Sequence, residues 1–192
     1  VRSQQQIHRL ASIVQDLLQL SRLDTAYSPD SDKTLVLSDV VHQVHLTKIT
    51  DAEMKQVQLI CDTSPECQQH SIQGRADDLA LMLSNLIDNA IKYSDHGGTV
   101  SLTLTMNGEG LIQFNVTDQG VGIPAEEHDK IFERFYRVDP ARSRNKGGTG
   151  LGLSIVKHVV ERYQGRIKLV SRPGQGASFS VTFPTLQPDP TR

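Results

Sequence analysis

Residues 85–94 read NLIDNAIKYS, and the reading of the fold starts from this decapeptide. Asn85, Asn89 and Lys92 are spaced by four and three, so on a helix they form one stripe. Leu79, Leu83, Leu86, Ile87 and Ala90 form a broad apolar face beside it, which predicts a helix over residues 77–93 with one side buried. Two amides and an ammonium next to a core face are costly to bury without partners. The stripe is either a solvated face or the wall of a polar site, and its neighbours decide between these.

On the C-terminal side, Gly97 and Gly98 close the helix connection. Val100, Leu102, Leu104 and Met106 alternate with polar residues, as do Ile112, Phe114 and Val116, with Asn107 to Gly110 between the two runs. This is the signature of an antiparallel hairpin. Residues 165–171 and 177–183 repeat the pattern around Pro173 and Gly174, after a predicted helix over 151–163. On the N-terminal side, residues 34–37 read as a strand, and Ser38 is the expected N-cap of a helix over 39–55 carrying Val40, Val41, Val44 and Ile49. Short strands are expected at 57–61 and 71–73, around a turn with Pro65.

The first 25 residues form a separate helical pattern, with Ile7, Leu10, Val14 and Leu17 on one face. Ile13, Leu18, Leu20 and Leu23 widen that face beyond a two-helix seam, as in a bundle. The division expected is a bundle helix over 1–26, a polar Pro-containing linker over 27–33, an α+β domain over 34–185 and a tail over 186–192. The chain opens on Val1 inside a helical pattern, which reads as a segment with further sequence upstream.

Composition narrows the classes. With 192 residues, 37% hydrophobic and 22% charged, the chain has enough apolar residues for a core. A net charge of -2 argues against a dedicated nucleic-acid binder. No apolar run reaches the roughly 20 residues needed to span a bilayer. Cys61 and Cys67 form no CxxC pair, so neither a zinc site nor a disulfide framework is indicated, and the expected compartment is cytoplasmic.

Glycines supply the chemistry around the stripe. They cluster in Asp118-Gln119-Gly120-Val121-Gly122, in Gly147-Gly148-Thr149-Gly150-Leu151-Gly152 and in Gly174-Gln175-Gly176. The second cluster leads into a predicted helix, whose first N–H groups and positive dipole end suit a phosphate. Amide oxygens suit a Mg²⁺ that keeps waters and phosphate oxygens, and Lys92 provides a point charge for phosphates. Neither a Walker-type loop nor a G-x-G-x-x-G after a strand is present, so a different nucleotide fold is required.

NLIDNAIKYS, DQGVGIP, IFERFYR, GGTGLGLSIVK and GQGASFSVTF resemble, in order and spacing, the N, G1, F, G2 and terminal Gly boxes of the ATP-binding domain of sensor histidine kinases. The opening helix is similar to the second helix of their dimerisation and phosphotransfer domain. The resemblance implies a Bergerat-type two-layer α/β sandwich, a mixed sheet with three helices on one face, binding ATP and Mg²⁺. It implies that Asp118 accepts from the adenine amino group, with Gly120, Gly122 and Ile123 close to base and sugar. Asn89 would be the principal Mg²⁺ ligand, with Asn85 assisting, and Lys92 and Tyr93 would meet the phosphate chain. Gly148, Thr149, Gly150, Leu151 and Gly152 would form the glycine-rich turn at the phosphates. Among the lid cations Arg134, Arg137, Arg142, Arg144 and Lys146, Lys146 joins the binding set and Arg137 is the expected γ-phosphate contact. Phe132 and Phe135 are expected to pack the lid.

Related gyrase-type ATPases place a water-activating Glu where this chain has Asn85. An amide is not a general base near neutral pH, so slow hydrolysis and phosphoryl transfer to a side chain are expected. No His-acid-x-x-Thr/Asn acceptor motif occurs, and His8 is followed by Arg9. The expected acceptor is therefore a His on an upstream helix, with a homodimeric parent and the receiver domain of a response regulator as partners. The competing readings are an ATP-sensing module without transfer and a gyrase-like ATPase.

Overall fold

A computed structural model describes residues 2–24, 32–138 and 148–186. The elements run α1 (Arg2–Asp24), β1 (Lys33–Val36), α2 (Leu37–Met54), β2 (Gln58–Thr63), β3 (Ser71–Gly74), α3 (Ala76–Tyr93), β4 (Thr99–Met106), β5 (Ile112–Asp118), α4 (Gly152–Arg162), β6 (Arg166–Ser171) and β7 (Ala177–Phe183). Five strands form a mixed sheet in the order β2-β4-β5-β7-β6, while β1 and β3 pair separately. β2 runs parallel to β4 and all other neighbours are antiparallel.

The alternation in β4 and β5 sorts their side chains between two faces. Val100, Leu102, Leu104, Ile112, Phe114 and Val116 are buried, and in the pairing Leu102 stands opposite Val116 and Leu104 opposite Phe114. The intervening residues are polar and bond to one another, as where Asn115 Nδ2 donates to Thr103 Oγ1 at 2.9 Å. Only one face therefore calls for a cover of helices. α2, α3 and α4 provide it, with Leu79, Met82, Leu83, Leu86 and Ile87 of α3 and Ile155, Val156, Val159 and Val160 of α4 in the core. The start of α3 is tied to the end of α4, where Tyr163 Oη donates to Asp78 at 2.7 Å and Arg162 reaches the same carboxylate at 3.1 Å. Burial and the Asp78 carboxylate push the Tyr163 phenol up, so the donor stays protonated.

α1 uses only part of its apolar stripe on this domain. Leu20 and Leu23 are buried and α1 packs on α4, where Arg162 and His158 both approach the Leu23 carbonyl. Ile7, Leu10, Val14, Leu17 and Leu18 stay exposed. Among the described residues no helix is long and apolar enough to cross a membrane.

Three local expectations are corrected. Ser38 is not the N-cap: the helix begins at Leu37, Val36 occupies the cap position without a side-chain bond, and the Ser38 hydroxyl is buried in the first turn. The fully buried Leu37 side chain draws the helix start into the core ahead of the serine. Lys33 pairs with Gly74 and Leu186 bridges to Ser71, so the ordered domain takes in one residue each from the expected linker and tail. Residues 27–31 and 187–192 of those two segments lie outside the described residues. Phe132 does pack, edge-on to Phe179 with ring centroids 6.4 Å apart, but Phe135 is 54% exposed. Phe135 contributes its backbone instead: its N–H donates to the Gly150 carbonyl at 2.9 Å, and its φ is 67°.

Candidate functional site

One cavity of about 450 Å³ opens between α3, the end of β5 and the glycine turn before α4. The i, i+4, i+7 spacing on α3 brings Asn85, Asn89 and Lys92 into its lining together, with Tyr93 beside them. Asn85 Nδ2 donates to the Leu81 carbonyl at 2.9 Å, which leaves Oδ1 as the acceptor on the side of α4. A Cβ on Gly152 would lie 2.6 Å from that oxygen, so glycine at the start of α4 allows the two helices to approach. A Cβ on Gly148 would collide with the Lys92 ammonium.

Asp118, the last residue of β5, is 7% exposed and also lines the cavity. The N–H groups of Gly120 and Ala177 donate to Oδ1 at 2.8 and 3.3 Å. Both bonds fall on one oxygen, and Oδ2 is left for a ligand donor. Burial raises the carboxyl above the usual range, against the opposing pull of those two N–H groups and the Lys55 charge. The chain then turns at Gly122, whose φ is 67°, and runs beside the β6–β7 turn. There Gly176 N–H donates to Gly120 O at 2.9 Å and Gly174 N–H to Val121 O at 2.8 Å.

Arg137 provides the clearest evidence that the cavity suits an anion. It lines the cavity, yet its Nη2 is buried without a hydrogen-bond partner among the described residues. A buried guanidinium nitrogen left in this way is costly unless an anion meets it. Thr149 completes this side: its hydroxyl accepts from Leu151 N–H at 3.2 Å and donates to Asp16 of α1 at 2.5 Å. Among the described residues no group of three or more His, Cys, Asp or Glu is poised to hold a metal. A Mg²⁺ here would rest on the Asn85 and Asn89 amide oxygens together with the ligand's own oxygens.

Of the expected site residues, Asn85, Asn89, Lys92, Tyr93, Asp118, Gly122, Ile123, Arg137, Gly148, Thr149, Gly150 and Gly152 all line this cavity. Gly120 and Leu151 do not. Gly120 lies against the Tyr93 carbonyl, and Leu151 is fully buried in the core, so both shape the site from behind. Lys146, with Arg142 and Arg144, lies outside the described residues. Sequence reasoning missed Ala90, Ile131, Tyr136 and Phe179, which give the cavity its apolar walls. Ala90 and Phe179 carried ordinary core periodicity. Tyr136 sat beside the aromatics that drew attention, and its hydroxyl donates to Glu127.

Among the described residues, apolar walls, one buried carboxylate, an amide-lined helix and a guanidinium nitrogen without a partner make a pocket suited to a nucleotide in a two-layer α/β sandwich. The pattern of the histidine kinase-, DNA gyrase B- and HSP90-like ATPases matches residues 74–187, and the chain belongs to this family. It is 42% identical over 184 residues to the sensor-like histidine kinase SenX3 of Mycolicibacterium smegmatis, covering 95% of this chain and 46% of that protein. It is 32% identical to the phosphate regulon sensor protein PhoR of Pseudomonas aeruginosa, over 96% of this chain and 41% of that one. The chain thus spans less than half the length of these curated relatives. The full-length structure of ShkA in complex with AMPPNP superposes with a TM-score of 0.78 at 29% identity, over 92% of this chain and 36% of that one. The mixed five-stranded sheet with helices on one face is the sandwich that the resemblance implied.

Proposed function

We propose that the cavity binds Mg·ATP and that the domain is the catalytic part of a sensor histidine kinase, which transfers the γ-phosphoryl group to a histidine for relay to a response-regulator aspartate. The observation that carries this reading is the buried Arg137 nitrogen, without a partner among the described residues, in the same cavity as Asp118, Asn89 and Lys92. Asp118 Oδ2 accepts the adenine amino group and so selects adenine. Lys92, Arg137 and the N–H groups at the start of α4 take the phosphates. Asn89, assisted by Asn85, holds Mg²⁺, which neutralises charge on the phosphate oxygens.

Asp118 is the one carboxylate in the lining among the described residues, and its place is with the base. No lining residue is thus suited to activate water, and Asn85 cannot do so as an amide. Such a site favours transfer to a nucleophile that needs no base to remove a proton before it attacks, as with the unprotonated nitrogen of a neutral imidazole. The acceptor His is supplied by a helix outside this chain, the exposed stripe of α1 belongs in a homodimeric bundle, and the receiver domain docks on the cytoplasmic side.

Asn89→Ala should weaken ATP binding roughly tenfold when Mg²⁺ is present and change it little in EDTA. Calorimetric titration of both proteins with ATP under the two conditions measures this. Equal affinities in Mg²⁺ would remove Asn89 from the metal site.

A further inference from the structure

Lys55 is not part of the cavity lining, yet it bonds to the main chain that carries two lining residues, Lys92 and Tyr93. It follows α2, and its Nζ donates to the carbonyls of Ile91 and Lys92 and, at 2.9 Å, of Ser94. Three carbonyls match the three N–H donors of an ammonium. They lie at the end of α3, where the carbonyls lack helical partners and the dipole is negative. Ser94 does not take over this role: its N–H and hydroxyl both donate to the Ala90 carbonyl, at 3.0 and 2.8 Å.

This turn carries Lys92 and Tyr93 into the cavity. The Tyr93 carbonyl is packed so closely on Gly120 that a Cβ there would overlap it, and Gly120 N–H in turn holds Asp118 Oδ1 at 2.8 Å. An unbroken series of contacts therefore runs from Lys55 through the end of α3 to the buried carboxylate.

We propose that Lys55 is a positioning residue: by capping α3 from α2 it sets the spacing between the helix that meets the phosphates and the carboxylate that meets the base. The proposal rests on the ATP reading above. The Lys55 charge also favours ionised Asp118, which adds to the same role. A second link between α2 and α3, the Lys48–Asp88 ion pair at 2.6 Å, is formed by two residues that do not line the cavity and serves as the control.

The experiment compares Lys55→Met, which keeps the apolar stem, with Lys48→Met and the unaltered chain, by ATP titration and by hydrogen exchange. Lys55→Met should bind ATP about tenfold more weakly and exchange faster at residues 92–95 and 119–121, with α4 unchanged. Lys48→Met should stay within about twofold in affinity, and Lys55→Arg, which keeps the charge but not the three-donor ammonium geometry, should recover only part of the loss. An affinity within twofold for Lys55→Met, or exchange that rises equally in α4, overturns the proposal. If Lys55→Met does not fold, Lys55→Gln is judged by the same readouts. If the unaltered chain binds no ATP, the ATP reading fails by itself, and the exchange pattern still decides whether Lys55 couples α3 to Asp118.

Discussion

Gly122→Ala should cost the folded state about 3 kcal/mol or more, equivalent to roughly 6–12 °C in Tm for a chain of this size, and should abolish nucleotide binding. Two effects add at this position. The φ of 67° is left-handed, which alone disfavours alanine by about 1–2 kcal/mol. The new Cβ would also overlap the Arg172 carbonyl and lie 3.2 Å from the Gly176 oxygen. Those are main-chain atoms of the β6–β7 turn, so no side-chain rotation relieves the clash. The turn would have to separate from the segment after β5, and the N–H of Ala177, which holds Asp118, lies at its end. Gly110→Ala is the matched control: its φ is 73°, but a Cβ there has nothing within 4 Å. It should lose only the conformational part, about 1 kcal/mol. Urea denaturation of the two variants gives the comparison, and equal small losses would mean that the close approach at Gly122 is not tight.

Asp118→Asn should separate stability from binding. ATP affinity should fall about a hundredfold, because a site built to accept a ligand N–H loses much when its acceptor is weakened or turned away. The nucleotide-free protein should gain stability at neutral pH, by about 1 kcal/mol, as is common when a strained functional group is neutralised. The sign follows from the direction of the carboxyl shift. Burial raises the Asp118 pKa on folding, so the folded form holds the proton more tightly than the unfolded chain does. The resulting contribution to stability is present at low pH and is lost as pH rises through the raised value. Asp118→Asn removes that pH dependence. ATP affinity of the unaltered chain should weaken on acidification at a higher pH than an exposed aspartate would give. Thermal melts and titrations across pH measure both halves, and a variant that is less stable at neutral pH with unchanged ATP affinity would contradict the assignment.

Much of this was legible in the sequence because it depends on short-range geometry. The 3.6-residue period alone places Asn85, Asn89 and Lys92 on one line, and the two-residue period of β4 and β5 assigns their inner and outer faces. The glycine clusters mark close approaches because a missing Cβ can be read directly from the residue type. What was not legible depends on long-range packing. Lys55 gives no sequence signal, because its partners are main-chain carbonyls about 40 positions away. Leu151 sits within a glycine motif yet points into the core, and Phe135 sits within an aromatic motif yet contributes its backbone. Ser38 has the right residue type for a cap, but the burial of Leu37 overrides the local preference.

Histidine phosphorylation is separated from hydrolysis by incubating this chain with ATP labelled at the γ-phosphate, alone and mixed with a second polypeptide that carries a histidine on a bundle-type helix. Acid-labile label should appear on the added polypeptide, with little release of free phosphate and no label on this chain alone. Rapid phosphate release without labelling of either polypeptide, or label on this chain by itself, would contradict the kinase reading.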